Sequence, residues 1–312
     1  MIAKELSEIE LELKNKLQRL SGIFDLNNVS KKHFSEKDVI KYYVDSSLGY
    51  SKVHSEHGSI HMALNADGVF NKDGYYEQAK IIAEYINKDK NKHIIEIACG
   101  KGFNTDYLAM NFPELRFSGI DLTPKHIKFA KSKIRPFQKN VDFKVANFLN
   151  LPFPNETFDF AFEVESVCHA TDMQKALGEI NRVLLPNSLF LVFDGFRKPI
   201  INELHEDFRL ASRLVEVSMA IDKAWILDEW IKIAENSGFE LIKIQDYSNS
   251  ILPNLKRFER YAEKFLNHPI KRRIISFFLP QYLIKNVIAA FLMPTLIKAG
   301  VHSYSFVVLK KK

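Results

Sequence analysis

The chain has 312 residues, of which 46% are hydrophobic and 26% are charged. This ordinary globular balance excludes wholesale disorder, collagen-like and repeat architectures, and the length allows one large α/β domain with added segments. Two cysteines are too few for a disulfide framework or a cysteine zinc site, which predicts a reducing, cytoplasmic location. Four glutamates within the first twenty residues argue against a signal peptide.

The net charge of +6 is unevenly distributed. Residues 256–312 carry a balance of +10, so the preceding part of the chain sums to −4. A basic tail on an acidic body predicts contact with an anionic surface, most simply the periphery of a membrane. A solvated lysine-rich surface is the alternative, and both stay open. The basic run 271–273 lacks interleaved aromatic residues, so no nucleic acid is expected as a partner.

The first 75 residues are expected to form a helical cap and lid. An apolar stripe at three- and four-residue steps predicts an amphipathic helix that ends at Gly22 and packs on the domain body or on a partner subunit of a homodimer. Ser35 and Asp38 resemble a capping box, which predicts a helix through Tyr42 and Tyr43. Residues 50–70 have no clean period and indicate an ordered loop, and a helical pattern returns at 74–86.

From residue 93 onward, strand and helix patterns alternate, which predicts a parallel sheet with helices on both faces. Strands are predicted at 93–97, 116–120, 141–145, 158–162, 188–193, 240–246 and 303–310. Helices are predicted at 104–112, 125–134 and 173–184, with helical insertions at about 200–237 and 254–300. The apolar stretch 274–299 is interrupted by Pro, Gln, Asn and Lys, so a transmembrane span is rejected and a surface-lying segment remains open. We therefore assign residues 76–312 to one main domain.

The most informative motif lies between the first and second predicted strands. The first strand ends at Glu96, and Gly100 and Gly102 follow, so the backbone can turn sharply and leave room for a ligand. Nineteen residues after Gly102, the next strand ends at Asp121. An acid at this strand tip can accept hydrogen bonds from both hydroxyls of a ribose. These features predict a nucleoside-binding site at the carboxyl edge of a parallel sheet.

Neither a dinucleotide fingerprint nor a P-loop fits this turn, because the third glycine and the Gly-Lys-Ser/Thr signature are missing. Glu-x-Ala-x-Gly-x-Gly instead resembles the first motif of the class I methyltransferases that use S-adenosylmethionine. Ala98 stands at the usual first glycine. The resemblance covers residues 80–195 in order and implies a Rossmann-like, seven-stranded, mostly parallel sheet. It implies that Glu96 organises the turn, and that Asn147 takes the place of the usual aspartate near the adenine.

The cofactor contacts implied by this resemblance are assigned to Tyr43, Glu96, Ala98, Gly100, Gly102, Asp121, Leu122, Asn147, Phe148 and Glu163.

A narrower resemblance points to the sterol and isoprenoid small-molecule methyltransferases, which carry an aromatic-rich entry segment and a Glu-x-x-x-His after the fourth strand. Here Glu165 and His169 occupy that motif. The resemblance implies that they act as a general base or as an electrostatic stabiliser. A capping role for Glu165 and a packing role for His169 are the alternatives. His61 is assigned to the substrate, with core packing as its alternative.

The sequence therefore predicts a cytoplasmic methyltransferase that transfers a methyl group from S-adenosylmethionine to a hydrophobic acceptor, namely a lipid, an isoprenoid or an aromatic compound. Two alternatives stay open: methylation of a small polar amine or acid, and a non-catalytic protein that keeps the fold and the cofactor. No metal site is expected. His54, His57 and His61 lack the neighbouring carboxylates or cysteines that would make them a metal cluster.

Overall fold

Seven strands form one sheet in the computed structural model, which describes residues 2–55 and 58–312. The strands are β1 His93–Glu96, β2 Arg116–Asp121, β3 Val141–Val145, β4 Phe158–Val164, β5 Leu184–Arg197, β6 Phe239–Asp246 and β7 His302–Lys311. Their order in the sheet is β3-β2-β1-β4-β5-β7-β6. All neighbours pair in parallel except β7, which runs antiparallel to β5 and β6. The predicted seven-stranded, mostly parallel, Rossmann-like sheet is confirmed.

The strand β5 is longer than the sequence pattern indicates, since it begins at Leu184 and ends at Arg197 instead of covering 188–193. Its carboxyl-terminal extension, residues 194–197, has a partner in β7, because the two strands pair continuously from Leu189 opposite Lys310 to Arg197 opposite His302. This long antiparallel pair carries the carboxyl edge of the sheet beyond the ends of the other strands.

Twelve α-helices surround the sheet within the described residues. They are α1 Ile2–Ser21, α2 Leu26–Ser30, α3 Glu36–Gly49, α4 Glu77–Tyr85, α5 Phe103–Asn111, α6 Pro124–Lys133, α7 Met173–Val183, α8 Glu206–Ser218, α9 Leu227–Asn236, α10 Ser248–Leu266, α11 Pro269–Phe278 and α12 Gln281–Lys298. Successive strand residues face opposite sides of the sheet. Ile94 therefore packs with α4 and α5, whereas Ile95 packs with α7 and α9.

One apolar cluster joins helices that are far apart in the sequence. Side chains of α1, α2 and α3 pack with those of α8, α10 and α12, and together they cap the carboxyl edge of the sheet. The stripe of α1, including Leu13, Leu17 and Leu20, is buried in this cluster and is thus used within the chain. The buried Lys16 ammonium adds polar links to Glu12 at 2.9 Å and to the Thr295 hydroxyl at 2.7 Å.

The segment 200–237, predicted as one insertion, divides between two places. Helix α8 belongs to the cap, whereas α9 covers the sheet beside α7. The apolar side chains Trp230 and Ala234 of α9 are buried, and they pack with side chains of α7 and of the sheet. This apolar face places α9 against the sheet.

Residues 50–76 contain more regular structure than the ordered loop and helix that their sequence predicts. A short π-helical turn at Tyr50–His54 continues α3, and a 3-10 turn at Lys72–Tyr76 precedes α4. The helix predicted from residue 74 therefore begins at Glu77.

Helix α11 differs from the other cap helices because none of its residues is buried. One face of this helix carries Ile270, Ile274, Phe277 and Phe278, which are between 55% and 82% exposed. Among the residues that the structure describes, no helix is both long and apolar enough to cross a membrane.

Candidate active site

The turn after β1 has the left-handed backbone that its glycines predict. Gly100 and Gly102 have φ angles of +53° and +77°. A Cβ on Gly100 would lie 2.6 Å from Ile60 Cδ1, so a side chain at this position would displace Ile60 and would also adopt a strained backbone conformation. Ala98 also lies in the left-handed region, with φ +52°. Alanine therefore occupies the position of the usual first glycine, and its left-handed backbone conformation is strained.

Glu96 connects the turn to the start of α5. Its buried carboxylate accepts hydrogen bonds from Thr105 N at 3.0 Å and Asn104 Nδ2 at 3.2 Å, and from the Thr105 hydroxyl. Burial raises the pKa of Glu96 to about 7, while these donors oppose the rise. The carboxylate thereby holds the turn against the helix that follows it.

Asp121, at the tip of β2, is bound to the same turn from the other side. Its Oδ2 accepts a hydrogen bond from Gly100 N at 3.0 Å, and its Oδ1 accepts one from Thr123 N at 2.7 Å. The ring nitrogen Nδ1 of His126 lies 3.2 Å from Oδ1. Because each carboxylate oxygen has two acceptor sites, Asp121 keeps capacity for further donors from a ligand.

Two cavities lie at the carboxyl edge of the sheet. The smaller one has about 60 Å³ and lies beside Asp121. Six of the predicted cofactor residues line it: Tyr43, Ala98, Asp121, Leu122, Asn147 and Phe148. Glu96, Gly100, Gly102 and Glu163 do not line it. Its volume is below the roughly 300–1,000 Å³ of ordinary small-molecule sites, so the cleft is closed in this conformation.

The closure of the smaller cavity comes from α3. Asn147 Nδ2 donates a hydrogen bond to Glu36 Oε1 of this helix at 2.9 Å. The other amide atom, Asn147 Oδ1, accepts a hydrogen bond from Leu149 N at 2.8 Å. Both the oxygen and the nitrogen of the Asn147 amide therefore have partners within the chain. The resemblance to an adenine-binding aspartate does not predict these partners.

The larger cavity has about 320 Å³ and lies between the sheet edge and the cap. Most of its wall comes from aromatic and aliphatic side chains of α3, α10 and α12, among them Tyr42, Phe258, Leu283 and Val287. Among the residues whose side chains the structure describes, which leave out 1–5, 52, 56 and 57, no lysine or arginine lines this cavity. The acids Glu165, Asp194 and Glu216 are its ionisable carboxyl groups.

The two cavities have four lining residues in common: Tyr43, Ile60, Glu165 and His169. They form a wall between the space beside Asp121 and the apolar space under the cap, and we call them the shared wall. A group bound on one side and a group bound on the other would meet at these side chains.

Glu165 in the shared wall is held in a strained and buried position. Its φ is +57°, and its Oε1 accepts a hydrogen bond from Met62 N at 2.6 Å. Burial raises the pKa of Glu165 to about 8, and the Met62 hydrogen bond opposes the rise. Near neutral pH this carboxyl group is thus able both to hold and to release a proton, which is the property of a general base or acid.

His169 is bound on both ring nitrogens. Nδ1 lies 3.2 Å from the Ala220 carbonyl oxygen, to which it donates, so Nε2 accepts from the Tyr43 hydroxyl at 2.9 Å. Burial lowers the pKa of His169 to about 4, which keeps the ring neutral. The pair of Tyr43 and His169 is therefore an uncharged hydrogen-bonded unit that faces both cavities.

His61 and Glu163 also line neither cavity. The ring of His61 packs against Tyr75 and Phe103, which is the core position named as its alternative, and its assignment to the substrate stays a prediction. The Glu163 carboxylate accepts hydrogen bonds from Ser166 N at 2.8 Å and Val167 N at 3.3 Å. It thereby caps the turn that carries His169, and its assignment to the cofactor stays a prediction.

Several cavity residues were not singled out from the sequence. Asp194 lies near the end of β5 and accepts hydrogen bonds from Cys168 N and Gly195 N. Its position after an apolar strand run was a readable signal, because the carboxyl ends of parallel strands meet at one edge. His302, Ser303 and Tyr304 of β7 also line the cavity, at the end of the strand that pairs with the extension of β5.

Of the three neighbouring histidines His54, His57 and His61, the structure describes the first and the third. His54 is buried with its Nε2 2.6 Å from the His61 carbonyl oxygen, and His57 lies outside the described residues. Within the described part of the chain, no group of three or more His, Cys, Asp or Glu side chains is placed to hold a metal ion.

Comparison with known sequences places a methyltransferase domain at residues 95–192. The chain is 25% identical over 238 residues to the O-methyltransferase cnsE of Penicillium expansum, which covers 73% of this chain and 81% of that protein. It is 26% identical over 164 residues to the sterol 24-C-methyltransferase ERG6 of Saccharomyces cerevisiae, which covers 50% of this chain and 41% of that protein. The chain thus spans less than half the length of this sterol enzyme.

Among solved structures, the geranyl diphosphate C-methyltransferase of Streptomyces coelicolor A3(2), in complex with Mg²⁺, geranyl diphosphate and S-adenosylhomocysteine, has the same fold. The TM-score is 0.66 at 13% sequence identity, and the match covers 88% of this chain and 97% of that one.

Proposed function

Because the chain carries a methyltransferase domain of the class I, S-adenosylmethionine-dependent fold, we propose that it transfers a methyl group to an apolar small molecule held in the larger cavity. The shared wall of Tyr43, Ile60, Glu165 and His169 carries this proposal, because it is the place where a methyl donor beside Asp121 and an acceptor under the cap would meet.

The donor side of the proposal rests on the turn and on Asp121. S-adenosylmethionine supplies a sulfonium methyl group that is ready for in-line displacement. Asp121 is placed to accept hydrogen bonds from the ribose hydroxyls, and Leu122 and Phe148 line the adjoining space. Asn147 becomes available to the adenine when its bond to Glu36 opens. Since the cleft is closed by α3, entry of the cofactor requires this helix to move.

The acceptor side favours a neutral apolar molecule. A lipid, isoprenoid or aromatic compound matches the aliphatic and aromatic lining, and a relative named as a sterol methyltransferase supports this class. An acceptor with a free carboxylate or diphosphate would be buried without a cationic partner, because no lysine or arginine of the described residues lines the cavity. A small polar acid is therefore disfavoured.

In the proposed reaction, the shared wall positions the nucleophile and excludes water. Glu165 in its ionised form takes a proton from the reacting group or stabilises positive charge that develops on it. Tyr43 and His169 remain neutral and fix the wall through their hydrogen bond of 2.9 Å. The aromatic faces nearby, including Tyr50, would stabilise a carbocation if carbon were the methylated atom.

Membrane contact through the basic C-terminal region forms a second part of the proposal, and α11 is the element that suits it. Its exposed apolar face, Ile270, Ile274, Phe277 and Phe278, has Lys271 and Arg273 on its two sides. This pattern is typical of helices that lie in a membrane interface. The helix connects α10 and α12, which both line the larger cavity, so an apolar acceptor could pass from lipid to cavity over a short distance. A homodimer stays a prediction.

The decisive experiment is incubation of the purified chain with methyl-labelled S-adenosylmethionine and with separate lipid and polar extracts, followed by identification of the labelled product. The proposal expects label in the lipid extract. Label only in polar amines or acids would favour the first alternative. Cofactor binding without transfer to either extract would favour a non-catalytic role.

A further inference from the structure

Polar side chains of the larger cavity lie on β7 as well as in the shared wall. His302 and Tyr304 are two residues apart on β7 and both line the cavity. Tyr304 lies beside Glu165, whereas His302 lies opposite Arg197 in the register of β5 and β7. At the usual strand rise, their Cα atoms are separated by about 7 Å along the strand.

A chain of hydrogen bonds behind His302 determines its protonation. Ser212 Oγ lies 3.0 Å from Glu216 Oε1 and 2.8 Å from His302 Nε2. Arg197 Nε donates to Glu216 Oε1 at 2.6 Å, and Arg213 Nη1 lies 3.6 Å from Oε2. Burial raises the pKa of Glu216, but the two guanidinium groups oppose the rise and favour the carboxylate.

The hydrogen bonds to Glu216 Oε1 have consequences for its neighbours. This oxygen accepts from Arg197 Nε and therefore carries no proton, so the Ser212 hydroxyl donates its single proton to it. The Ser212 oxygen then accepts from His302, which requires a proton on Nε2 of this ring. Burial lowers the pKa of His302 to about 3, so the ring carries no second proton near neutral pH.

The remaining nitrogen, His302 Nδ1, is therefore an acceptor, and no hydrogen bond to it is present among the described residues. An entirely apolar occupant of the cavity would leave this acceptor without water and without a partner, which is unfavourable.

We propose that His302 Nδ1 is the acceptor of a polar subsite, which binds a hydroxyl or N–H group of the molecule to be methylated. The inference rests on the proposed function only for the statement that the larger cavity holds the methyl acceptor. It adds that this molecule is apolar over most of its length and carries one hydrogen-bond donor away from the methylated atom.

The binding test compares two probes of nearly the same shape, the isoprenoid alcohol farnesol and its methyl ether, which lacks the donor. Calorimetry with the full chain should show that farnesol binds about five- to ten-fold more tightly. His302→Phe should remove the preference. Equal affinity for the two probes, or binding of neither, would overturn the proposal.

The protonation of the ring is tested without any ligand, by NMR of the ¹⁵N-histidine-labelled chain at pH 7. We expect the wild-type His302 ring to carry its proton on Nε2, and Ser212→Ala to weaken that preference. A wild-type ring protonated on Nδ1 would refute the inference, and this result does not require the His302→Phe variant to fold. Methyl transfer to a lipid together with equal probe affinities would contradict the subsite alone, whereas a preference for farnesol without methyl transfer to any extract would contradict the proposed function alone.

Discussion

Asp121 is the residue on which cofactor binding should depend most directly. Asp121→Ala removes an ionised acceptor for the ribose and also frees the Gly100 and Thr123 amides. We expect the dissociation constant of S-adenosylhomocysteine, measured by titration calorimetry, to rise about 10- to 100-fold. Asp142→Ala, on the exposed side of the neighbouring strand, is the matched control and should leave the affinity unchanged. Equal affinities for all three proteins would remove Asp121 from the cofactor site.

Glu165 should impose a pH dependence on catalysis. Its pKa of about 8 means that the base form increases as the pH rises from 7 to 9. With the acceptor identified by the labelling experiment, kcat/KM should therefore increase through about pH 8, while Glu165→Gln should lower it about 100-fold or more and abolish the rise.

The control for this profile is Glu203→Gln, an exposed glutamate outside both cavities. A rise near pH 8 that persists in Glu165→Gln would show that another group titrates. The neutral His169, with a pKa of about 4, does not account for a rise in this range.

At the residue scale, the sequence located residues at strand tips better than residues in loops. Ala98 and Asp121 follow or end two adjacent parallel strands, so their proximity can be predicted from the strand pattern. Glu163 and His61 line neither cavity, because adjacent positions on a turn or loop face different directions, which sequence spacing does not reveal. His302 depends on the antiparallel register of β5 and β7, which is set by long-range pairing.

At the element scale, α11 should mediate membrane binding. Vesicles of phosphatidylcholine with phosphatidylserine should sediment the full chain at low salt, and pure phosphatidylcholine should sediment much less. The double variant Lys271→Glu, Arg273→Glu should weaken binding at least about ten-fold, since each basic residue near an anionic surface contributes about 1 kcal/mol. These side chains are exposed, so the fold should be retained.

The matched control reverses two exposed charges of α6, Lys128→Glu and Lys131→Glu, and thus changes the net charge equally. If both double variants bind alike, the effect belongs to total charge and not to α11.

The elements of the sheet were predictable because a buried parallel strand is a short apolar run between a turn and a helix. The cap was less predictable, since α1, α8 and α12 form one core through contacts between distant parts of the sequence. Amphipathic periodicity predicts that a helix has a buried face, but it does not identify the partner. This is why a stripe on α1 was compatible with either the domain body or a second subunit.

At the scale of the whole molecule, buried ionisable groups should produce a maximum of stability. Burial raises the pKa of Asp194 to about 6, of Glu96 to about 7 and of Glu165 to about 8. A folded-state pKa above that of the unfolded chain contributes stability that is complete below the unfolded pKa of about 4, and this contribution is lost progressively as the pH rises from there through the folded pKa values of about 6 to 8.

Buried histidines act in the opposite direction. Burial lowers the pKa to about 3 for His54 and His302, and to about 4 for His61, His93 and His169. Their contribution is complete above the unfolded pKa of about 6.5 and is lost as the pH falls toward 4. Scanning calorimetry between pH 4.5 and 8.5 should therefore give the highest Tm near about pH 6.5. Glu165→Gln should flatten the alkaline side. A Tm that rises steadily up to pH 8.5 would contradict this charge distribution.

The account as a whole requires a methyl donor on one side of the shared wall and its acceptor on the other. A crystal structure of the chain with S-adenosylhomocysteine tests this requirement most directly. The ribose should contact Asp121, and the sulfur atom should point at Tyr43, Ile60, Glu165 and His169. Binding at another site, or a sulfur atom directed away from the larger cavity, would contradict the account.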